Sequence, residues 1–596
     1  MIRRVLFIPI LCATFSLGSI PAKAQIAQPD SFTQINANAM AANPAGVELH
    51  LSLEGGRKTF HMGEPIPITY SFTSSKRGAY QLIKWNTQFF DTFTCDPAAS
   101  VAESDADLFK SNVFNINGYA PAPVTLGIYP TKEVKLLNSY CRFISPGHYR
   151  IYATCGRVTT RSAAMGQSNK PASVTSDILE LDIAPDDPAW DNAQLDTLRK
   201  NLHSSDEAVQ ANAQRDLAFL GTNDAVTETL KQLNGSPLYA NRIIDSLFEA
   251  RDRKFVIDSL KNALVDPNFA VTDNLIDALA RLDITMRHPL LHPSAGPDHA
   301  YTVEAIEREK LIFRERPTVL AVYCKILQDA IERKTGRAKA MSIVTLLTNA
   351  AKYPDTFVIS AAQRRAMAAA LRASLPLLSK TEQSFVLSGP CWPAIKPLDI
   401  APYLKEASCL PGTIISDPDN YDLRDAAVKR LLEVSPADAR NIIISDIRSG
   451  NPQIGYDTLQ MLPDIEIPSL DPTFKNYLPK GNVTSPTYAT FVSRYATKAL
   501  LPTALAVYPK VVDTTAIESL LTYVLRVDEP LGRKMADAEL TRREKQGYIL
   551  LPNLITTKPT PAIERLVQSH LHDKNKATAA EAKMALDRLK MFKQAK

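Results

Sequence analysis

Val47-Glu48-Leu49-His50-Leu51-Ser52-Leu53 alternates apolar and polar residues without a break. In an extended chain its valine and leucines line one face and its Glu, His and Ser the other. A helix would scatter the same residues around its axis, so the period of two predicts a half-buried strand. Gly55-Gly56 ends it. Outward from this stretch, Gly63-Glu64-Pro65 introduces a second run, with Ile66, Ile68, Tyr70 and Phe72 on one face and Pro67, Thr69 and Ser71 on the other. Pro67 has no amide to donate, which favours a sheet edge or a strand end. Alternation returns at residues 124–128, 149–153 and 179–183. Several short strands separated by turn residues predict a β-sandwich.

Ser145-Pro146-Gly147-His148-Tyr149-Arg150-Ile151-Tyr152-Ala153 carries a Pro-Gly turn into a Tyr-bearing strand. It resembles the late strand of immunoglobulin-like domains, a resemblance that spans about 46–184 and implies an immunoglobulin-like β-sandwich there. Residues 96–115 and 161–176 depart from that pattern, being longer or more polar than simple connections. Tyr149 and Tyr152 fall on opposite strand faces, so one is expected in the core and the other exposed. Tyr149 is expected to be a structural corner residue rather than a ligand contact.

Pro185-Asp186-Asp187-Pro188 marks a boundary, and residues 185–190 are expected to be a linker. Beyond it the period becomes helical. Ser204-Ser205-Asp206-Glu207 reads as a capping box, with Ser204 capping and Glu207 three residues on. Val209, Ala213, Leu217 and Leu220 then share one face, and Gly221 is the expected stop. Related spacings recur at Leu423, Ala427, Leu431 and Val434, and at Thr578, Ala582, Leu586 and Leu589. A small residue in mid-helix lets a neighbouring helix approach closely, the mark of a stacked repeat. The pattern resembles HEAT-type repeats and implies an α-solenoid over 191–596. Pro-rich breaks near 287–300 and 387–422 are expected to subdivide it. The expected fold class is therefore multidomain β + α, an immunoglobulin-like β-sandwich followed by an all-α HEAT-like solenoid. The whole layout resembles exported bacterial HEAT-repeat proteins, and that resemblance implies architecture but no active site.

The first residues carry Arg3 and Arg4, an apolar run over 5–17, and Ala22-Lys23-Ala24 before Gln25. This order is that of a secretory signal peptide over 1–24, cleaved after Ala24, so the chain is expected to be exported to a periplasm or the medium. Residues 25–45 are polar and aperiodic and are expected to be a flexible tether. No later run is long and apolar enough to span a bilayer, and no transmembrane anchor is expected after cleavage. Losing Arg3, Arg4 and Lys23 lowers the basic total from 68 to 65 against 63 acidic residues, leaving a net charge of +2. That balance gives no electrostatic reason to expect nucleic acid or an anionic membrane as partner.

Cleavage also removes Cys12, leaving Cys95, Cys141 and Cys155 in the β region and Cys324, Cys391 and Cys409 beyond it. Six cysteines allow 15 pairings and the spacing selects none. Cys391 with Cys409, close together in a Pro-rich stretch, is the favoured candidate pair. The chain contains no His-Glu-x-x-His, Cys-x-x-Cys, Gly-x-Ser-x-Gly, Ser-x-x-Lys or Gly-x4-Gly-Lys motif. Zincins, thioredoxin-like enzymes, common serine hydrolases, penicillin-binding enzymes and P-loop NTPases thereby lose support.

His288, His292, Asp298 and His299 form the densest candidate metal cluster. Pro289, Pro293 and Pro297 interrupt it, and a solvent-exposed loop is the expected role. His570 and His572, two residues apart, are expected to point to different sides. The acidic stretch at 416–422 lacks the glycine and the twelfth-position acid of a calcium loop, so Asp417 and its neighbours are expected to cap a helix. Trp85, Trp190 and Trp392 each sit near a boundary, where sealing a junction is the expected role. No catalytic, cofactor-binding or metal residues are assigned, and no cofactor is expected. The expected function is an exported binding or scaffolding protein whose partner is a protein or cell-envelope component. The competing readings are an envelope-polymer enzyme with dispersed site residues and a protease inhibitor acting through the β domain.

Overall fold

The computed structural model describes residues 30–84, 91–97, 101–103, 123–160, 170–235, 244, 246–289, 303–412, 417–480, 486–544, 549–555 and 559–594. The expected signal peptide, 1–24, lies outside them. The strands fall between residues 47 and 183, and from Pro188 onward the chain is helical, so the fold is a β region followed by an α region. The chain divides into two compact units: 1–235 with 239–259 and 281–316, and 236–238 with 260–280 and 317–596.

In the first unit, β1 (Val47–Leu53), β3 (Pro67–Ser74) and β8 (Thr131–Leu136) form an antiparallel sheet in the order β1-β3-β8. The larger sheet is built on β10 (Gly147–Thr160). Along one side of it run β12 (Leu179–Ile183) and then β11 (Pro171–Thr175); along the other run β5 (Asp91–Asp96) and then β4 (Tyr80–Leu82). β2 (Thr59–Phe60) extends the sheet past β12, and β7 (Val124–Thr125) extends it past β4. β6 (Val101–Glu103) and β9 (Cys141–Phe143) form a two-stranded ribbon.

The alternation in β1 is realised residue for residue, with Val47, Leu49, Leu51 and Leu53 buried and the three polar residues exposed. Together with Ile68, Tyr70 and Phe72 of β3 they share one core with Ile151, Ala153 and Leu181 of the larger sheet. Each large side chain so buried contributes roughly 1.5–3 kcal/mol of transfer free energy. Pro67 stands at the first position of β3, where its missing amide is tolerated.

Residues 25–45 differ from the expected tether, because Ser31–Ala41 is a helix. Asp30 caps it by accepting from the Thr33 amide at 2.9 Å. Phe32 packs on the Tyr152 ring with centroids 5.4 Å apart. Asn36 donates to the Ser176 carbonyl at 2.9 Å, and Asn43 exchanges two hydrogen bonds with the backbone of Thr175. The asparagines that gave the stretch its polar look are thus the groups that dock it. The same helix corrects the reading of the tyrosine pair: Tyr149 and Tyr152 are both buried, since Phe32 covers the sheet face that Tyr152 occupies.

The expected linker also contains helix. Pro188–Asn201 is helical, with Asp187 accepting from the Ala189 and Trp190 amides and Pro188 in the first turn. In the next helix, Glu207–Leu220, the cap is Asp206 rather than Ser204. Asp206 accepts from the Ala208 amide at 2.8 Å, while Ser204 Oγ accepts from the Asp206 amide. The carboxylate reaches the first free amides and adds negative charge at the positive end of the helix. Gly221 ends this helix in a left-handed conformation, as expected. Ala213, Leu217 and Leu220 are buried, as are Leu423, Ala427 and Leu431 farther on, and Ala582 and Leu589 near the end. Gly63 seats the β2–β3 turn on the C-terminal end of helix Glu207–Leu220. Its φ is +79°, and a Cβ there would lie 2.6 Å from the Phe219 carbonyl oxygen.

In the second unit, helix Pro418–Val434 packs on Lys380–Ser388, Ala401–Ser408 and Pro436–Arg448. Helix Thr514–Val527 packs on Pro486–Tyr495, Glu529–Glu544, Leu551–Leu554 and Pro561–Ser569. Gly532 permits the close approach of Glu529–Glu544, since a Cβ there would lie 2.6 Å from the Leu525 backbone. The Pro-rich stretch near 387–422 holds the short helices Trp392–Ile395 and Ala401–Ser408 and the start of Pro418–Val434. Three of its prolines, Pro393, Pro402 and Pro418, sit in first turns, where they begin helices. Near 287–300 a helix ends at Arg287, and residues 290–302 lie outside the described set. Among the described residues, no helix is long and apolar enough to cross a membrane.

Candidate functional site

The residues singled out from the sequence do not converge on one centre. His288 is half-buried beside Glu315, with 3.8 Å between Nε2 and Oε1. His292, Asp298 and His299 lie outside the described residues. Both ring nitrogens of His570 are occupied, Nε2 by Asp537 at 3.0 Å and Nδ1 by Asp573 at 2.9 Å. The hydrogen bond to His570 holds the Asp573 carboxyl below its usual range, while His572 is exposed. Asp417 caps helix Pro418–Val434 by accepting from the Asn420 amide at 3.1 Å; Ser416 lies outside the described residues. Burial, then the charges of Asp419 and Asp425, push the Asp422 carboxyl upward. Among the described residues, no group of three or more His, Cys, Asp or Glu side chains is placed to hold a metal.

Two tryptophans take sealing positions. Trp190 stacks on His61, with centroids 4.5 Å apart and rings 5° from parallel. Trp392 Nε1 donates to Glu433 at 3.0 Å. Trp85 lies outside the described residues. Tyr149 Oη donates to the Ser145 carbonyl at 2.7 Å, closing the turn that leads into β10.

The strongest concentration of charge was not anticipated. Arg157, from β10, is fully buried between the sheets. Its Nε donates to Asp91 at 3.0 Å, its Nη2 to Glu133 at 2.9 Å and its Nη1 to the Ile83 carbonyl at 2.9 Å. Lys135 Nζ donates to Asp91 at 2.7 Å and lies 4.9 Å above the centre of the Tyr70 ring. Two cations and two anions thus balance inside the fold, and they tie β8 of the smaller sheet to β5 and β10 of the larger. Burial, more than any neighbouring charge, lowers the Lys135 pKa. Burial first and the Asp91 carboxylate second raise those of Tyr70 and Cys155 well above their ordinary values. Cys155 is therefore held as an unreactive thiol. A network of this kind is a cross-sheet fastening, in which Asp91 accepts from both Arg157 and Lys135 and Glu133 from Arg157.

A small cleft of about 60 Å³ in the first unit is lined by Met62, Gly63, Asn138, Cys141, Arg142 and Arg251 among others. Its polar groups are committed to the fold. Arg142 donates to the carbonyls of Phe248 and Ala250 at 3.2 and 3.0 Å. Arg251 donates to the Met62 carbonyl at 2.7 Å and grips Asp191 through both carboxylate oxygens. Asn138 accepts from the Ile66 amide at 2.7 Å and donates to the Glu64 carbonyl. Behind the wall formed by Cys141 stands Cys95, with 3.6 Å between the sulfurs. The favoured pair from the sequence is not formed: Cys391 is buried and donates to the Val386 carbonyl, whereas Cys409 is exposed.

In the second unit, a shallow groove of about 320 Å³ is lined by Tyr508, Val511, Ile517, Met535, Glu539 and Arg542, among others. Glu539 also accepts from Arg543, a buried side chain that reaches Glu518 at 3.0 Å. No family model matches this chain, and neither a curated protein nor a solved structure shows significant similarity to it.

Proposed function

We propose that this is an exported, non-enzymatic binding or scaffolding protein that holds a protein or cell-envelope component on its helical and β surfaces. The observation that carries the reading is the packing order in the second unit, where the helix pairs in most extensive contact, such as Pro418–Val434 with Ala401–Ser408 and Pro436–Arg448, are close together in the chain. Stacks built that way present long surfaces of ordinary side chains rather than one enclosed pocket. The HEAT-like reading is supported by the buried small residues Ala427 and Ala582 at mid-helix. The immunoglobulin-like reading is supported by the Tyr149 hydrogen bond, the position of a tyrosine corner at the start of a central strand.

Export accords with the charged and apolar order of residues 1–24. The test is capture of partners from periplasmic and culture-supernatant extracts on the purified full chain, alongside an activity screen against envelope polymers. Specific retention of a partner supports the reading. A chain that retains nothing while turning over a polymer overturns it in favour of an enzyme.

A further inference from the structure

We infer that Cys95 and Cys141 are an oxidisable pair that closes into a disulfide and locks β9 to the larger sheet. The sulfurs stand 3.6 Å apart, and both side chains are buried in the common core of the β region. Cys95 faces that core because β5 alternates inward at Asp91, Phe93 and Cys95, and Cys141 faces it together with Phe143 of β9. A disulfide needs the sulfurs about 2.05 Å apart, so closure requires a movement of about 1.5 Å shared between two side chains. The other described cysteines are differently placed. Cys155 is held protonated beside Asp91, burial pushes the Cys324 and Cys391 thiols up to about 12, and Cys409 is exposed.

The chemistry requires a disulfide oxidant, such as a dithiol oxidase in its oxidised form or oxidised glutathione. Cys141 lines the cleft shared with Arg142 and Arg251, so it is the thiol an oxidant reaches first. The Cys141 thiolate attacks one sulfur of the oxidant, forming a mixed disulfide and expelling one thiolate. The Cys95 thiolate then attacks Cys141 Sγ and expels the second. Two electrons pass to the oxidant, and the two thiol protons leave with its two reduced sulfurs. The product spans 46 positions of chain and fixes the strand that carries Arg142, whose guanidinium holds the carbonyls of Phe248 and Ala250.

The test uses the reduced, folded full chain incubated with oxidised glutathione, alkylated under denaturing conditions and mapped by mass spectrometry without reduction. The expected result is a peptide pair joined through Cys95 and Cys141, with Cys155, Cys324 and Cys391 recovered alkylated. Recovery of Cys95 and Cys141 both alkylated, or of Cys141 joined to Cys155, overturns the inference. Thermal melting gives a second readout. Adding a reductant to the oxidised wild type lowers Tm by roughly 5–15 °C, and has no effect on Cys95→Ser. Equal sensitivity of the two proteins counts against the bond. If Cys95→Ser fails to fold, the wild-type map still decides.

Discussion

Glu433 gathers three donors: Trp392 Nε1 at 3.0 Å, Lys396 Nζ at 3.1 Å and the Arg430 guanidinium. Burial pushes its carboxyl upward, but these hydrogen bonds prevail and hold it at about 2 against an ordinary 4.5. A carboxylate depressed in the folded state stabilises fully above its unfolded pKa and loses that contribution as pH falls through the folded one. The window here is pH 4.5 down to 2. Glu433→Gln is therefore expected to lose about 1 kcal/mol at pH 7, after allowance for solvent screening of a partly exposed group. It should lose correspondingly less at pH 3. Melts of both proteins at the two pH values check this, and an equal difference at both would show that the bridge contributes nothing.

Lys334 makes a complementary case. Its buried ammonium donates to the carbonyls of Ala263, Asp266 and Phe269, and burial lowers its pKa to about 8. Because the unfolded lysine titrates near 10.5, the penalty on the charged form is present below pH 8 and is relieved as pH rises toward 10.5. Lys334→Met leaves the three carbonyls without that donor, an expected loss of about 2 kcal/mol in denaturant unfolding at pH 7.

At the scale of elements, the strands at 47–53, 67–74 and 179–183 and the helices Glu207–Leu220, Pro418–Val434 and Lys576–Gln594 were legible because each buries one face. Residues 47–53 could be read because the period of two survives in burial, and Gly221 because only a residue tolerant of positive φ ends a helix that way. What escaped the reading was set by contacts distant in sequence. Helix Ser31–Ala41 leaves Ile35 and Met40 exposed and is held by Phe32 on Tyr152 and Asn36 on Ser176. Phe32→Ala is expected to destabilise the first unit by about 3 kcal/mol and to raise hydrogen exchange across 31–41 and β11, read by mass spectrometry. Unchanged exchange there would mean that the asparagine contacts alone hold the helix. Gly63 concerns two elements at once, because a Cβ would meet the backbone at Phe219 and Leu220, which cannot rotate aside. Gly63→Ala should lower stability by about 2–4 kcal/mol. A melt indistinguishable from wild type would show that the turn can lift off the helix end.

Over the whole molecule, the chain builds its β core and the core of the second unit from separate sets of residues. The buried charges of the first were invisible in the sequence because Asp91, Glu133, Lys135 and Arg157 come from three strands whose register no local pattern reveals. The thiol pair was hidden for the same reason, since composition places three cysteines in the β region without saying which two face each other. Arg157→Met leaves Asp91 and Glu133 buried with one cation fewer, an expected loss of about 3–5 kcal/mol. Hydrogen exchange should quicken in β5, β8 and β10 while Leu520–Leu525 in the second unit keeps its protection. Equal acceleration in both regions would mean that the chain opens as one cooperative block.

The docking of helix Ser31–Ala41 also has a temporal consequence. Its anchoring partner Ser176 lies 140 positions later in the chain than Asn36, so during synthesis from the N-terminus the helix has nothing to settle on until that residue has emerged. The helix is thus secured only after every strand up to β11 has been made.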